Sequence, residues 1–285
     1  MADQVSQLGT LPGQRLHGMI VPREHGAWGM LLMPLATGAA VGLMSSVQVL
    51  PLVLFTVAAL GLFWMRTPVE SWLGMSPLRA QSDQERGAVR RAILALASAV
   101  ALALAGLFWG GQNAYLLLLG AICGVAFAAQ AVLKKLGRKT RMAAQVVGSL
   151  GLTSTAPAAY YVVTGHLDLT AWALWFANWL FAGDQIHFVQ LRIHAARMTN
   201  VREKLVRGRG FLVGQAALAA ALLVACRFGL LPALALLAFV PVLVRGLLWF
   251  FSGPQPLLVR RLGWTELAHA VAFGMLLIFS FGFSR

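Results

Sequence analysis

Charge is scarce in this sequence. Of its 285 residues only 11% are Asp, Glu, Lys or Arg, and just 9 are acidic, whereas a soluble domain carries about a quarter charged residues. So few charges cannot coat a soluble sphere. A length that would otherwise suit one or two soluble domains therefore points to a polytopic membrane protein. Cysteine is nearly missing as well. Cys123 and Cys226 both lie inside apolar runs, which excludes a disulfide scaffold. The period-two alternation of membrane β-strands is absent, and residues 1–20 lack the charged start and apolar stretch of a cleavable signal peptide. What is abundant is apolar: 59% of the residues are hydrophobic, and the mean hydropathy is +0.75.

A helix crossing the hydrocarbon core needs about 20 mostly apolar residues. Windows of that length predict about nine spans, at roughly 27–46, 48–65, 91–110, 113–133, 142–163, 169–189, 211–227, 230–251 and 265–283. The expected fold is an all-α, polytopic membrane helical bundle. Residues 1–20 read as a flexible cytoplasmic tail and residues 21–285 as a single transmembrane domain. Of the 23 basic residues, all but Arg227, Arg245 and Arg285 fall on one side of this arrangement. By the positive-inside rule that side is cytoplasmic and holds the N-terminus, with the C-terminus outside. Most of the net charge of +14 is then topology. Membrane lipids are the expected partners, nucleic acid is not needed, and the expected location is the cell's cytoplasmic membrane. The longest connections, about 20–25 residues, follow the second and sixth spans on the cytoplasmic side, where long loops tend to be functional or disordered.

Ionisable residues inside a membrane are costly and by default mark a site. One cluster opens the first span: Val21-Pro22-Arg23-Glu24-His25-Gly26-Ala27-Trp28-Gly29. Pro22 can start a helix; Arg23 and His25 either snorkel as interfacial anchors or line a cytoplasmic-side pocket. A second cluster closes the sixth span with Asn178, Asp184, Gln185, His187, Gln190, Arg192, His194 and Arg197. Asp184 and His187, three apart, are placed to hydrogen-bond. His187 and His194, seven apart, face one way but sit too far along the axis to share a metal ion easily, and no spacing requires haem. This cluster reads as a polar pocket wall. The third, Lys134-Lys135-Leu136-Gly137-Arg138-Lys139-Thr140-Arg141, reads chiefly as a topogenic loop against anionic lipid, with one or two cations turned inward. Arg66 stands at a membrane edge beside Glu70, where Pro68 is expected to break the helix. Arg245, Glu266 and His269 rank below these, and His166 and Asp168 read as outer-loop chemistry. Gly38, Gly42, Gly148 and Gly151 predict close helix packing, within or between chains. Pro157 and Pro241 are single prolines inside spans.

Together these landmarks resemble the UbiA superfamily of intramembrane prenyltransferases, helical proteins with a cytoplasmic-side active site. Pro22 to Pro34, ending Gly29-Met30-Leu31-Leu32-Met33-Pro34, is similar to that family's opening helix. Lys134 to Arg141, then Gln145, Gly148 and the run to Gly165, resembles its basic turn and glycine-rich helix, and Trp172 to Asp184 resembles its sixth helix. More narrowly, Pro22-Arg23-Glu24-His25-Gly26-Ala27-Trp28 is similar to the opening of the YwiC-like proteins, a family of bacterial membrane proteins.

The departures from the UbiA pattern carry as much information. That family holds Mg²⁺, and through it a prenyl diphosphate, on two aspartate-rich motifs. Here the first reads Arg66-Thr67-Pro68-Val69-Glu70-Ser71-Trp72, with Asp83 and Glu85 further along, and the second reads Asp184-Gln185-Ile186-His187-Phe188-Val189-Gln190-Leu191-Arg192. Hard divalent cations want several oxygen ligands, so Mg²⁺ is not expected in the usual UbiA manner, and no other metal is expected. Two expectations follow. In the first, a pocket takes an isoprenoid diphosphate on cations, since arginine grips phosphate oxygens through a planar fork. Arg23, Arg66, Arg138, Arg141, Gln145, Asn178 and Arg192 are then the substrate-binding residues, and His25, His187 and Asp184 the acid–base candidates. In the second, the helices are kept without the chemistry, in a lipid or quinone binder, a transporter or a partner of a membrane complex.

Overall fold

The computed structural model describes residues 12–22, 25–74, 76, 78–111, 114–137, 140–195, 198, 200–253 and 258–284. Among these residues the chain forms helices only: α1 (Pro12–Ile20), α2 (His25–Leu43), α3 (Val49–Trp72), α4 (Asp83–Trp109), α5 (Ala114–Lys135), α6 (Arg141–Thr153), α7 (Thr155–Thr164), α8 (Leu169–His194), α9 (Val201–Arg227), α10 (Ala235–Phe251) and α11 (Val259–Phe283). Among the described residues seven stretches are long and apolar enough to cross a membrane: α2, α3, α4, α5, the α6–α7 pair, α9 and α11. The two remaining sequence windows correspond to α8, diluted by its polar second half, and α10, an apolar helix of 17 residues. The helices fall into two units, one of α1, α3 and α4, the other of α2 and α5 to α11.

In the first unit α3 and α4 pack along their lengths. Val100, Ala103 and Leu107, at helical three-and-four spacing, form the buried face of α4. On α3 Gly61 leaves room for the Val100 side chain, which a Cβ there would meet at 2.6 Å. The opposite faces expose Leu62, Leu94 and Leu102, as lipid contact requires. Residues 12–20, placed by the sequence reading in a flexible tail, instead form α1. Met19 is buried, Trp64 Nε1 donates to the Ile20 carbonyl at 2.8 Å, and Ser71 Oγ donates to that of Met19 at 3.3 Å. These bonds satisfy carbonyls that a helix C-terminus leaves open.

Two further sequence expectations need correction here. Pro68 does not end α3. The proline removes one backbone donor, but the Arg66–Glu70 ion pair at 2.8 Å spans it, and the Leu73 amide still reaches the Val69 carbonyl at 2.9 Å. Nor are the two connections expected on the cytoplasmic side long. α4 begins at Asp83 under a capping box formed by Ser82 and Glu85. α8 runs on to His194, and α9 starts at Val201 beneath the Asn200 side chain. Hydropathy windows see only apolar turns, whereas these helices continue past their apolar portions as charged ones.

The second unit is built around α7 and α8. Residues 155–163 of α7 are all buried. Pro157 cannot donate to the carbonyl four residues earlier, and the backbone breaks one residue beyond that point, at Ser154, dividing a single span into α6 and α7. Gly38 of α2 is pressed directly on the backbone of Ala156, and Gly151 of α6 on Cys123 and Phe127 of α5. Gly42 and Gly148 likewise meet α7 and α5, so these four small residues serve packing within the chain. An aromatic stack of Phe181 on Phe273, centroids 4.0 Å apart, with Phe239 edge-on at 5.1 Å, joins α8, α10 and α11. The Tyr160 hydroxyl donates to Asp168 at 3.0 Å, and Asp168 also caps α8, so Asp168 is a structural clamp between α7 and α8.

Candidate functional site: a buried charge network beside an apolar groove

Three helices of the second unit bring charge into a common interior, and a fourth adds an amide. Asp184 of α8 is 6% exposed and Glu266 of α11 is 9% exposed. Between them lies Arg245 of α10, whose Nη2 donates to Asp184 Oδ2 at 2.8 Å and whose Nη1 donates to Glu266 Oε2. The guanidinium carbon Cζ lies 4.0 Å from the ring centroid of Phe188, a cation–π contact strengthened by desolvation. Gln215 of α9 donates through Nε2 to the other Asp184 oxygen, and Gln185 donates to the Glu266 backbone carbonyl at 2.9 Å. Two carboxylates therefore share one guanidinium in an apolar interior. Three buried atoms of this cluster have no hydrogen-bond partner: Arg245 Nε, Glu266 Oε1 and Gln215 Oε1.

Asp184 and Gln215 also form the polar wall of a groove of about 310 Å³ between α6, α8 and α9. His187 lines the same groove, its ring edge-on to Phe211 with centroids 5.2 Å apart. Gly214 permits that placement, since a Cβ there would stand 2.9 Å from His187 Nδ1. From this polar end the lining becomes apolar through Leu180, Leu218 and Ala221. Trp179, also on the wall, donates to the Val146 carbonyl at 3.2 Å and joins α8 to α6. One turn beyond the polar end, Gln190 Nε2 donates to Gln145 Oε1 at 3.1 Å. Arg141 is exposed at the start of α6 and Arg192 half-buried in the last turn of α8.

The expected site residues thus divide. His187 and Asp184 meet at the groove, although the Asp184 oxygens bond Gln215 and Arg245 rather than His187. Gln145, Arg141 and Arg192 lie toward the same end of the second unit. Asn178 is buried elsewhere, donating to Thr37 Oγ1 at 3.0 Å and to the Leu174 carbonyl at 2.8 Å, which ties α8 to α2. Arg66 belongs to the first unit, in its ion pair with Glu70. Arg23 and Arg138 lie outside the described residues, as does the side chain of His25, the first residue of α2. Among the described residues no group of three or more His, Cys, Asp or Glu side chains is placed to hold a metal ion.

Gln215 escaped the sequence reading, and Arg245 and Glu266 ranked too low in it. A signal was present. Arg245 is a cation in the middle of an apolar span, and such a residue needs a carboxylate partner; Asp184 and Glu266 are the acidic residues that apolar windows leave within reach.

Apolar helices by the hundred residues, with a charge network shut inside one of the two units, define an integral membrane protein of the multi-pass helical kind, its outer faces in contact with lipid. A family model described as "YwiC-like protein" matches residues 21–160. Over that segment, just under half of its length, the chain is similar to the YwiC-like family. The match ends within α7, so the network of Asp184, Gln215, Arg245 and Glu266 lies wholly outside it. Comparison with curated proteins found no match, and neither did comparison with solved structures.

Proposed function

We propose that this membrane protein binds an amphipathic, isoprenoid-type lipid in the groove between α6, α8 and α9. The observation that carries the reading is the grading of that groove, with Asp184, Gln215 and His187 at one end and Leu180, Leu218 and Ala221 at the other. A volume of about 310 Å³ is at the small end of ligand sites, which run from about 300 to 1,000 Å³. It suits a headgroup and the first part of a chain, the remainder lying in the bilayer. Arg141 and Arg192 stand beyond the polar end, on the side that the distribution of basic residues assigns to the cytoplasm and where an anionic headgroup would be attracted. The isoprenoid character comes from the UbiA-like landmarks of the sequence. With Asn178 committed to Thr37 and the Leu174 carbonyl, the reading favours binding over a complete transferase centre. A neutral, quinone-like headgroup suits the Asp184 and Gln215 end better than a diphosphate, because the network already carries more carboxylates than cations.

The test is to block the groove without disturbing the helices. A Cβ added at Gly183 meets nothing within 4 Å, and Gly183 lines the groove. In Gly183→Leu the new side chain fills the space, and loss of the helix glycine favours folding by about 1 kcal/mol. With full-length protein in nanodiscs, native mass spectrometry against quinones, polyprenols and isoprenyl diphosphates should detect one lipid class on the wild type. Its affinity should fall at least about tenfold in the variant, about 1.4 kcal/mol. Equal binding by Gly183→Leu, or no retention of any of these lipids by the wild type, overturns the proposal.

A further inference from the structure

The charge inventory of the network leads to a second site, for a proton, which stands whether or not a lipid occupies the groove. Asp184 and Glu266 are both more than nine-tenths buried, and they share the single guanidinium of Arg245. If both were ionised, the triad would carry one uncompensated negative charge in an apolar interior, where an unpaired charge is strongly disfavoured. The groups facing Glu266 do not supply the missing cation. Arg192 of α8 lies near Glu266, His269 of α11 near both carboxyls and His187 of α8 on the groove wall with Asp184, but none forms an ion pair with either carboxyl, and α9 contributes the neutral Gln215. His269 instead uses Nδ1 against the Thr265 carbonyl at 2.7 Å. Glu266 Oε1 and Gln215 Oε1 are buried and unpartnered, which marks two oxygens at which a hydrogen is wanted. Two free oxygens are too few for a metal cation, which takes about six. A proton needs one.

We propose that the Asp184–Arg245–Glu266 triad binds one exchangeable proton, held by the carboxylate pair as a unit, so that the network is neutral when loaded. The step is a simple one: an O–H bond of a hydronium ion breaks as its proton forms an O–H bond to one carboxylate oxygen, and the water left behind returns to the solvent. The amide of Gln215 fits either state. Its nitrogen donates to ionised Asp184, and with the amide turned over its oxygen accepts from protonated Asp184. Access runs through the groove, since Asp184 and Gln215 are on its wall. The two carboxyls titrate as a coupled pair, so the proton belongs to both.

Infrared difference spectroscopy of the full chain in nanodiscs reads this directly. Wild type at neutral pH should show a protonated-carboxyl C=O stretching band that moves in D₂O. Glu266→Gln removes one of the two acids, and Asp184→Asn leaves one carboxylate matched to one guanidinium, so each should abolish the band. Glu203→Gln, in the first turn of α9, should leave it. A wild type without the band overturns the proposal, whether or not the variants fold. A band that survives both Glu266→Gln and Asp184→Asn overturns it as well, and both substitutions preserve side-chain shape.

Discussion

Replacing Arg245 by methionine is the sharpest test of how the second unit is held together. The side chain makes two charge-assisted bonds, to Asp184 and Glu266, and stacks on Phe188. Hydrogen bonds to charged groups contribute about 1.5–3 kcal/mol each, so the lost bonds set an upper scale near 6 kcal/mol. Proton uptake by the stranded carboxyls offsets part of that. Removing one partner from a buried ion pair generally costs about 3–5 kcal/mol, and we expect Arg245→Met to fall there, a drop in melting temperature of roughly 6–20 °C at about 2–4 °C per kcal/mol. The companion variant is the triple substitution Asp184→Asn, Arg245→Met, Glu266→Gln. With no charge left to strand, it should return to within about 1 kcal/mol of wild type, because uncharged replacements of buried ion networks are often neutral or better. The assay is thermal unfolding in detergent followed by size-exclusion chromatography of the soluble fraction. A single substitution costing under about 1 kcal/mol would show that the cluster is not a desolvated ion network. A triple variant as unstable as the single one would show that Arg245 acts through packing instead.

The glycine contacts predict a contrast. Gly38→Ala drives a methyl into the Ala156 backbone, which cannot step aside, and should cost about 2–3 kcal/mol. Gly148→Ala meets only the end of the Gln130 side chain and should be close to neutral, both read from the same melting experiment. In the first unit Ser82→Ala deletes the hydroxyl that accepts from the Glu85 amide at 3.2 Å. It should cost about 1 kcal/mol, seen as faster hydrogen exchange in the opening turn of α4 with the rest of the unit unchanged.

Apolar length was the most legible property, because spanning a membrane leaves a run of residues that no soluble constraint imitates. The helix ends were not, because Asp83 to Arg91 and Val201 to Arg209 are helical yet charged, and hydropathy measures solvent preference rather than backbone geometry. The site was half legible. Asp184 and His187 stood out as polar residues in one helix, but their partners come from α9 and α10, and pairing across helices is not written along any one of them. Gln215, uncharged among alanines, gave no local signal. Arg66 was conspicuous at a membrane edge, and its ion pair with Glu70 follows a four-residue spacing already present in the sequence.

The place of α2 sets a schedule for assembly in the membrane. It is the earliest long apolar helix of the chain, yet its bonds are to partners made far later: Thr155 donates to Leu31 across 124 residues, and Asn178 to Thr37 across 141. At a synthesis rate of about 5–20 residues per second, Leu31 waits roughly 6–25 s for Thr155 to be made. During that interval α3 and α4 can already pair with each other, while α2 stands in lipid with Gly38 and Thr37 uncovered. A helix made early is thus completed late, and a chain stopped before α7 would leave α2 as an unmatched surface for quality control to read.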